Sequence, residues 1–261
     1  MTKNRRQTEK PGPDVLPHYQ TLLNGTDWAS LATPCGTGEA LPTTLTGLLD
    51  PDPAVREAAA KDALGQVTHQ NTIYEATVPV ALYVAAILDH PAVTAGDLDH
   101  DTVVPSRHPT LVRLLDWLSD TAHDADDECV AIGERFHGQR FLHEHEEIRA
   151  FRDRRPAIFN AVHPLLGHES RNVRNAALLA AIPLAEHPLL TDHRGELAGH
   201  AHRLLATSTD RRHRDRVLDA LRTWGHDTSD LESAADVAAR ERYARPMTGD
   251  WTGGHREDPP F

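Results

Sequence analysis

The 261-residue chain reads as an all-α protein, a right-handed α-solenoid of about five stacked helix pairs, on three observations. First, apolar residues recur at helical spacing: Leu41, Leu45, Leu48 and Leu49 fall at i, i+4, i+7 and i+8, one stripe on one helix face. Second, leucines ending such stripes return in register. Leu88 lies 39 residues after Leu49, Leu166 lies 78 after Leu88, and Leu205 lies 39 after Leu166. Third, Ala and Leu outnumber β-branched residues and aromatics are only 5%, which favours helices over a sheet-dominated core.

Residues 1–17 are polar, with Lys3, Arg5, Arg6 and Lys10, and read as a flexible N-terminal segment without the apolar stretch of a secretory signal. The array is expected over 18–228. Gly36-Thr37-Gly38 has no strand before it and reads as a loop. The leucine stripe from Leu41 must end at Asp50-Pro51, because proline lacks the N–H donor and clashes with the preceding turn. Asp52 can then cap a second helix with Pro53 at its first position, and Val55, Ala59, Ala63 and Val67 would line its buried face.

The unit recurs. Ile87-Leu88-Asp89-His90-Pro91-Ala92-Val93 repeats the turn loosely, and Val173-Arg174-Asn175-Ala176-Ala177 matches Val55-Arg56-Glu57-Ala58-Ala59. The last pair takes Leu197, Ala201, Leu204 and Leu205 against Val217, Leu218, Leu221 and Trp224. The register position near residue 127 falls in Asp124-Ala125-Asp126-Asp127-Glu128, so the middle repeat is irregular. Residues 229–261 read as a C-terminal helix followed by a flexible tail containing Pro246, Pro259, Pro260, Gly249, Gly253 and Gly254.

A period near 40 with two helices per repeat is the pattern of HEAT and armadillo arrays. The stretch from Asp50 to Ala60 resembles a HEAT-repeat turn and second helix. Asp27-Trp28-Ala29-Ser30-Leu31, Leu41-Pro42 and His69-Gln70-Asn71-Thr72-Ile73-Tyr74-Glu75-Ala76-Thr77 resemble a family of actinobacterial HEAT-repeat proteins, roughly over residues 26–225. The resemblance implies an α-solenoid and a protein-binding scaffold, of which some HEAT-like examples serve as immunity factors beside toxins. Residues 89–108 form a longer connection than that family carries there.

Net charge is −12 and uneven. Residues 1–130 hold 19 acids against 8 Lys or Arg, and residues 131–261 hold 20 acids against 19 Arg. An acidic half of this kind repels nucleic acid and attracts basic protein. Two places read as binding sites. One is the corner where Trp28, His69, Gln70, Tyr74 and Glu75 would converge, Thr72 and Glu75 also fitting a capping box. The other is the long loop carrying Asp97, Asp99 and Asp101 as an acidic contact surface.

Function classes drop out in turn. The longest apolar run, Val78 to Leu88, has 11 residues, short of the ~20 a membrane span needs. Cys35 and Cys129 are too few for a disulfide framework, which points to the cytoplasm. There is no nucleophile elbow, P-loop or dinucleotide fingerprint, so no catalytic residue or cofactor is assigned. His143 with His145, and His200 with His202, stand at i, i+2 and face apart on a helix, so no metal site is assigned. The expected function is a protein-binding scaffold with a basic partner, in its narrowest form an immunity protein masking a basic toxin. Two alternatives remain. One is a HEAT-like nucleic-acid-binding or DNA-glycosylase-type protein using Arg211, Arg212 and Arg214. The other is a small-molecule enzyme of a biosynthetic cluster that works in the concave face.

Overall fold

The computed structural model describes residues 12, 14–94 and 110–244. The architecture is all-α. The helices are α1 (Tyr19–Gly25), α2 (Leu41–Gly47), α3 (Pro53–Gly65), α4 (Thr77–Ala86), α5 (Pro91–Thr94), α6 (Thr110–His123) and α7 (Asp127–His137). They continue as α8 (Phe141–Glu144), α9 (Glu146–Val162), α10 (Arg171–Leu184), α11 (Arg194–Thr207), α12 (Arg211–Thr223) and α13 (Ala234–Ala244). Short 3-10 turns at Trp28–Ser30, His163–Gly167 and Pro188–His193 join some of them.

The breaks follow the local chemistry. Asp52 accepts from the Ala54 N–H at 2.9 Å and Pro53 opens α3. Asp126 and Asp210 cap α7 and α12 in the same way, through the N–H groups of Cys129 and His213. Each cap satisfies a donor that would otherwise lack an intrahelical partner. Leu48, Leu88, Leu166 and Leu205, at or beside the 39-residue register positions, are all buried: Leu48 and Leu88 just past α2 and α4, Leu166 in the 3-10 turn after α9, and Leu205 in the last turn of α11. Removing each from water contributes about 1.5–3 kcal/mol.

Second helices lie beside one another: α3 against α6, α6 against α10, and α10 against α12. On the other side α1 lies against α4 and α4 against α9. The most extensive contact joins α6 to α10. It sets Leu111, Leu114, Leu115 and Leu118 beside an alanine-rich helix in which Ala176, Ala177, Ala180 and Ala181 are buried. Polar cross-links join the elements: the Tyr83 hydroxyl donates to the Leu45 carbonyl at 3.1 Å, and the Trp117 indole donates to the Thr68 hydroxyl at 2.9 Å.

Several expectations are corrected. Val55 is 42% exposed, and Arg56 takes its place at 3%. The Arg56 guanidinium donates to the carbonyls of Asp50 and Pro51 at 2.7 and 3.0 Å, so the turn itself solvates the buried charge. Arg174 repeats this with the carbonyls of His168 and Glu169, at 2.6 and 2.7 Å. The buried residues of α3 are therefore Arg56, Ala59, Ala60, Ala63 and Leu64, followed by Val67: the predicted face with Arg56 in place of Val55.

Gly36-Thr37 is not loop but a strand, β2, paired antiparallel with β1 (Ala32–Thr33). The capping box does not form. Helix α4 starts at Thr77, whose hydroxyl accepts from the Tyr74 N–H at 2.9 Å and donates to the Val67 carbonyl at 3.1 Å. Thr72 instead closes a tight turn with His69 across Gln70 and Asn71, both at positive φ. The irregular stretch near residue 127 opens α7, which leads through Gly138 at φ +88° to the short α8.

Candidate functional site

The predicted corner residues are held as follows. Trp28 is 5% exposed, and its indole N–H donates to the Leu23 carbonyl at 2.9 Å. Glu75 accepts from the Ala32 N–H at 2.9 Å, which pins the β1–β2 hairpin to the start of α4. Tyr74 is half-buried, and His69 and Gln70 are exposed on their turn. Asp97, Asp99 and Asp101 lie outside the described residues.

Charge divides the molecule. Over residues 14–94 there are nine carboxylates and two cations, Arg56 and Lys61. Asp27, Glu39, Asp52, Asp62, Glu75 and Asp89 are all exposed. In the C-terminal half the arginines of α12 and three of those on α9 are engaged with carboxylates. Arg212 and Arg216, from α12, both reach Asp120 on α6, the latter at 2.9 Å. Arg211 pairs with Asp215 at 3.3 Å, and Arg222 meets Asp219 and Glu232 at 2.6 and 2.9 Å. A cleft of about 400 Å³ between α12 and α13 is lined by these same groups, so its charge is balanced. The run from Arg211 to Arg216 thus braces α12 against α6 and α13 rather than presenting a bare cationic face.

Two carboxyls near the α6–α7 corner hold their protons to higher pH than usual. Burial pushes Asp124 up to about 6, with Asp120 adding to it. Burial also pushes Glu186 up to about 7, against the opposing pull of Arg155. A carboxyl whose folded pKa lies above its unfolded value contributes stability that is complete below about pH 4 and is lost as pH rises through the folded value. Glu186→Gln, which cannot ionise, should therefore gain on the wild-type chain by about 1–2 kcal/mol between pH 5 and pH 8. Urea unfolding at the two pH values measures the difference, and a constant offset would show that Glu186 titrates normally.

A third group of side chains was not anticipated. His163, the first residue of the turn after α9, places Nε2 2.9 Å from Oε2 of Glu196 in the first turn of α11. His193, which precedes α11, brings Nδ1 to 3.8 Å from the same oxygen. All three ligand-type atoms lie within 4.8 Å of one another. The rings of His163 and His193 stand edge to face at 5.0 Å, over Phe159 at 5.3 and 4.8 Å. The hydrogen bond from His163 holds the Glu196 carboxyl below its ordinary value.

His193 and Glu196, at i and i+3, were a readable signal. The contribution of His163, 30 residues before His193, depends on the turn after α9 coming beside the first turn of α11. His143 is exposed and His145 turns to Glu147 at 3.1 Å, away from any such cluster.

Among the described residues, no helix is long and apolar enough to cross a membrane. Compared with profiles of protein families, with curated proteins and with solved structures, the chain finds no match in any of the three.

Proposed function

We propose that the chain is a HEAT-type α-solenoid of the actinobacterial kind its motifs resemble, and that its acidic N-terminal half binds a basic protein. The side-by-side run of α3, α6, α10 and α12, with leucines at the 39-residue positions closing the preceding helices, supports the solenoid. A stacked array of this type offers one long surface rather than an enclosed catalytic cavity.

The observation that carries the binding reading is the contrast in charge use. The arginines of α12 are engaged by carboxylates, whereas nine acids over residues 14–94 meet two cations, one of them buried in a turn. That leaves a negative field which steers a cationic partner and repels phosphate. A toxin-masking immunity protein is the narrowest form of this function, because covering a basic active surface needs an acidic rigid surface and no chemistry. Engagement of the α12 arginines argues against the nucleic-acid alternative.

The test is affinity capture from an extract of the source cell, followed by mass spectrometry. The bait chain is compared with a variant in which Asp62, Asp97, Asp99 and Asp101 are changed to Lys. A protein of pI above about 9 should be retained, less so as salt rises, and the variant should bind it at least about 10-fold more weakly. Retention of no basic protein, or equal binding by the variant, would overturn the reading.

A further inference from the structure

We infer that His163, His193 and Glu196 form a site for one divalent transition-metal cation of the zinc class, with three protein ligands and a fourth position open to solvent. The argument is geometric. A four-coordinate cation with bonds of about 2.0–2.1 Å sets its ligands roughly 3.3 Å apart. The two measured separations from Glu196 Oε2 are 2.9 and 3.8 Å, on either side of that value. All three ligand-type atoms lie within 4.8 Å of one another, so ring rotation is what coordination would require.

The arrangement is more than a histidine–carboxylate hydrogen bond. His163 alone would satisfy that bond, yet His193 also turns Nδ1 toward the same oxygen at a separation too long for a hydrogen bond. A cation between the three groups accounts for both rings facing one carboxylate. Two imidazoles and a carboxylate are borderline donors that suit zinc, cobalt, nickel or copper in preference to magnesium or calcium, which take oxygen.

The supports are rigid. The ligands come from the turn ending α9 and from the start of α11, and Phe159, 1% exposed, backs both rings with an apolar wall. The side chains of His163, His193 and Glu196 are 33%, 38% and 48% exposed, so an ion can enter and a water can hold the remaining position. The site would clip α9 to α11 across successive helix pairs.

The test uses the untagged full chain, stripped with chelator, titrated with Zn²⁺ by calorimetry and with Co²⁺ by visible absorption. One equivalent should saturate ahead of weaker binding by other histidines, and Co²⁺ should give the intense bands of a four-coordinate ion. His193→Ala and Glu196→Gln should each weaken that equivalent by about 100-fold or more, while His143→Ala leaves it unchanged. The three variants are surface changes, and matching far-UV circular dichroism verifies that each is folded. Absence of a saturating first equivalent, wild-type affinity in the His193 and Glu196 variants, or its loss in His143→Ala would overturn the assignment.

Discussion

Replacing Arg214 with alanine is expected to lower the unfolding free energy by about 3–5 kcal/mol, because it strands a buried carboxylate. Arg214 and Asp236 are 8% and 6% exposed. The guanidinium reaches both Asp236 oxygens, Nη2 at 2.6 Å and Nε at 3.1 and 3.2 Å. Its remaining N–H groups donate to the carbonyls of Leu205 at 2.6 Å, Ser208 at 3.2 Å and Leu231 at 3.0 Å. One side chain therefore closes the α11–α12 turn and anchors α13.

The Asp236 carboxyl is held far below the usual carboxylate range, first by that guanidinium and then by Ser233. Its contribution is present above the unfolded pKa near 4 and is lost as pH falls through the folded value. Arg214→Lys should not restore stability, since an ammonium cannot present the planar fork. A double-mutant cycle with Asp236→Asn should return a coupling of about 2–3 kcal/mol. A loss below about 1 kcal/mol for Arg214→Ala, measured by urea unfolding, would show that the pair does not form.

Arg155→Ala is the second large effect, again about 3–5 kcal/mol. Arg155 is 1% exposed on α9. It meets Glu186 at 3.3 Å and shares the Ala125 carbonyl with Arg152, whose own bond is 2.7 Å. Glu186 in turn accepts from the Asp127 N–H at 2.9 Å. The network thus fastens the start of α7 to α9 and to the end of α10.

Burial, helped by Arg152, lowers the Arg155 guanidinium to about 10, and its Nε is buried without a partner. The charge is therefore costly, and its removal is not symmetrical with its truncation. Arg155→Met keeps most of the volume and should cost less than half as much as Arg155→Ala at pH 8. Equal losses for the two would mean that packing is a minor part of its role.

Local rules carried much of the fold. The stop at Asp50-Pro51, the Asp52 cap, and the buried registers of Leu41, Leu45 and Leu48 all follow from backbone chemistry within a few residues. Arg56 and Val55 show where those rules end. Hydropathy alone favours burying Val55, but the turn carbonyls turn toward Arg56 and make its burial the better solution. Thr72 and Glu75 fail as a capping box for a similar reason. The Ala32 N–H, 43 residues away, claims the Glu75 carboxylate.

The charge imbalance behind the proposed binding surface was legible, because counting needs no coordinates. The His163, His193 and Glu196 cluster was only half legible. Spacing along α11 relates His193 to Glu196, whereas nothing in the chain order relates either to His163.

By itself, then, the sequence determined the helical class, the break at Asp50-Pro51 with the new helix at Pro53, and the acidic bias of the N-terminal half. These depend on side-chain periodicity, proline and capping, which act over one or two turns. The folded structure decided that Arg56 rather than Val55 is buried at the start of α3, that the arginines of α12 are spent on Asp120, Asp236 and Glu232, and that two histidines share one carboxylate. Those outcomes depend on which surfaces meet, a competition among partners from 5 to 96 residues apart that hydropathy periodicity does not encode.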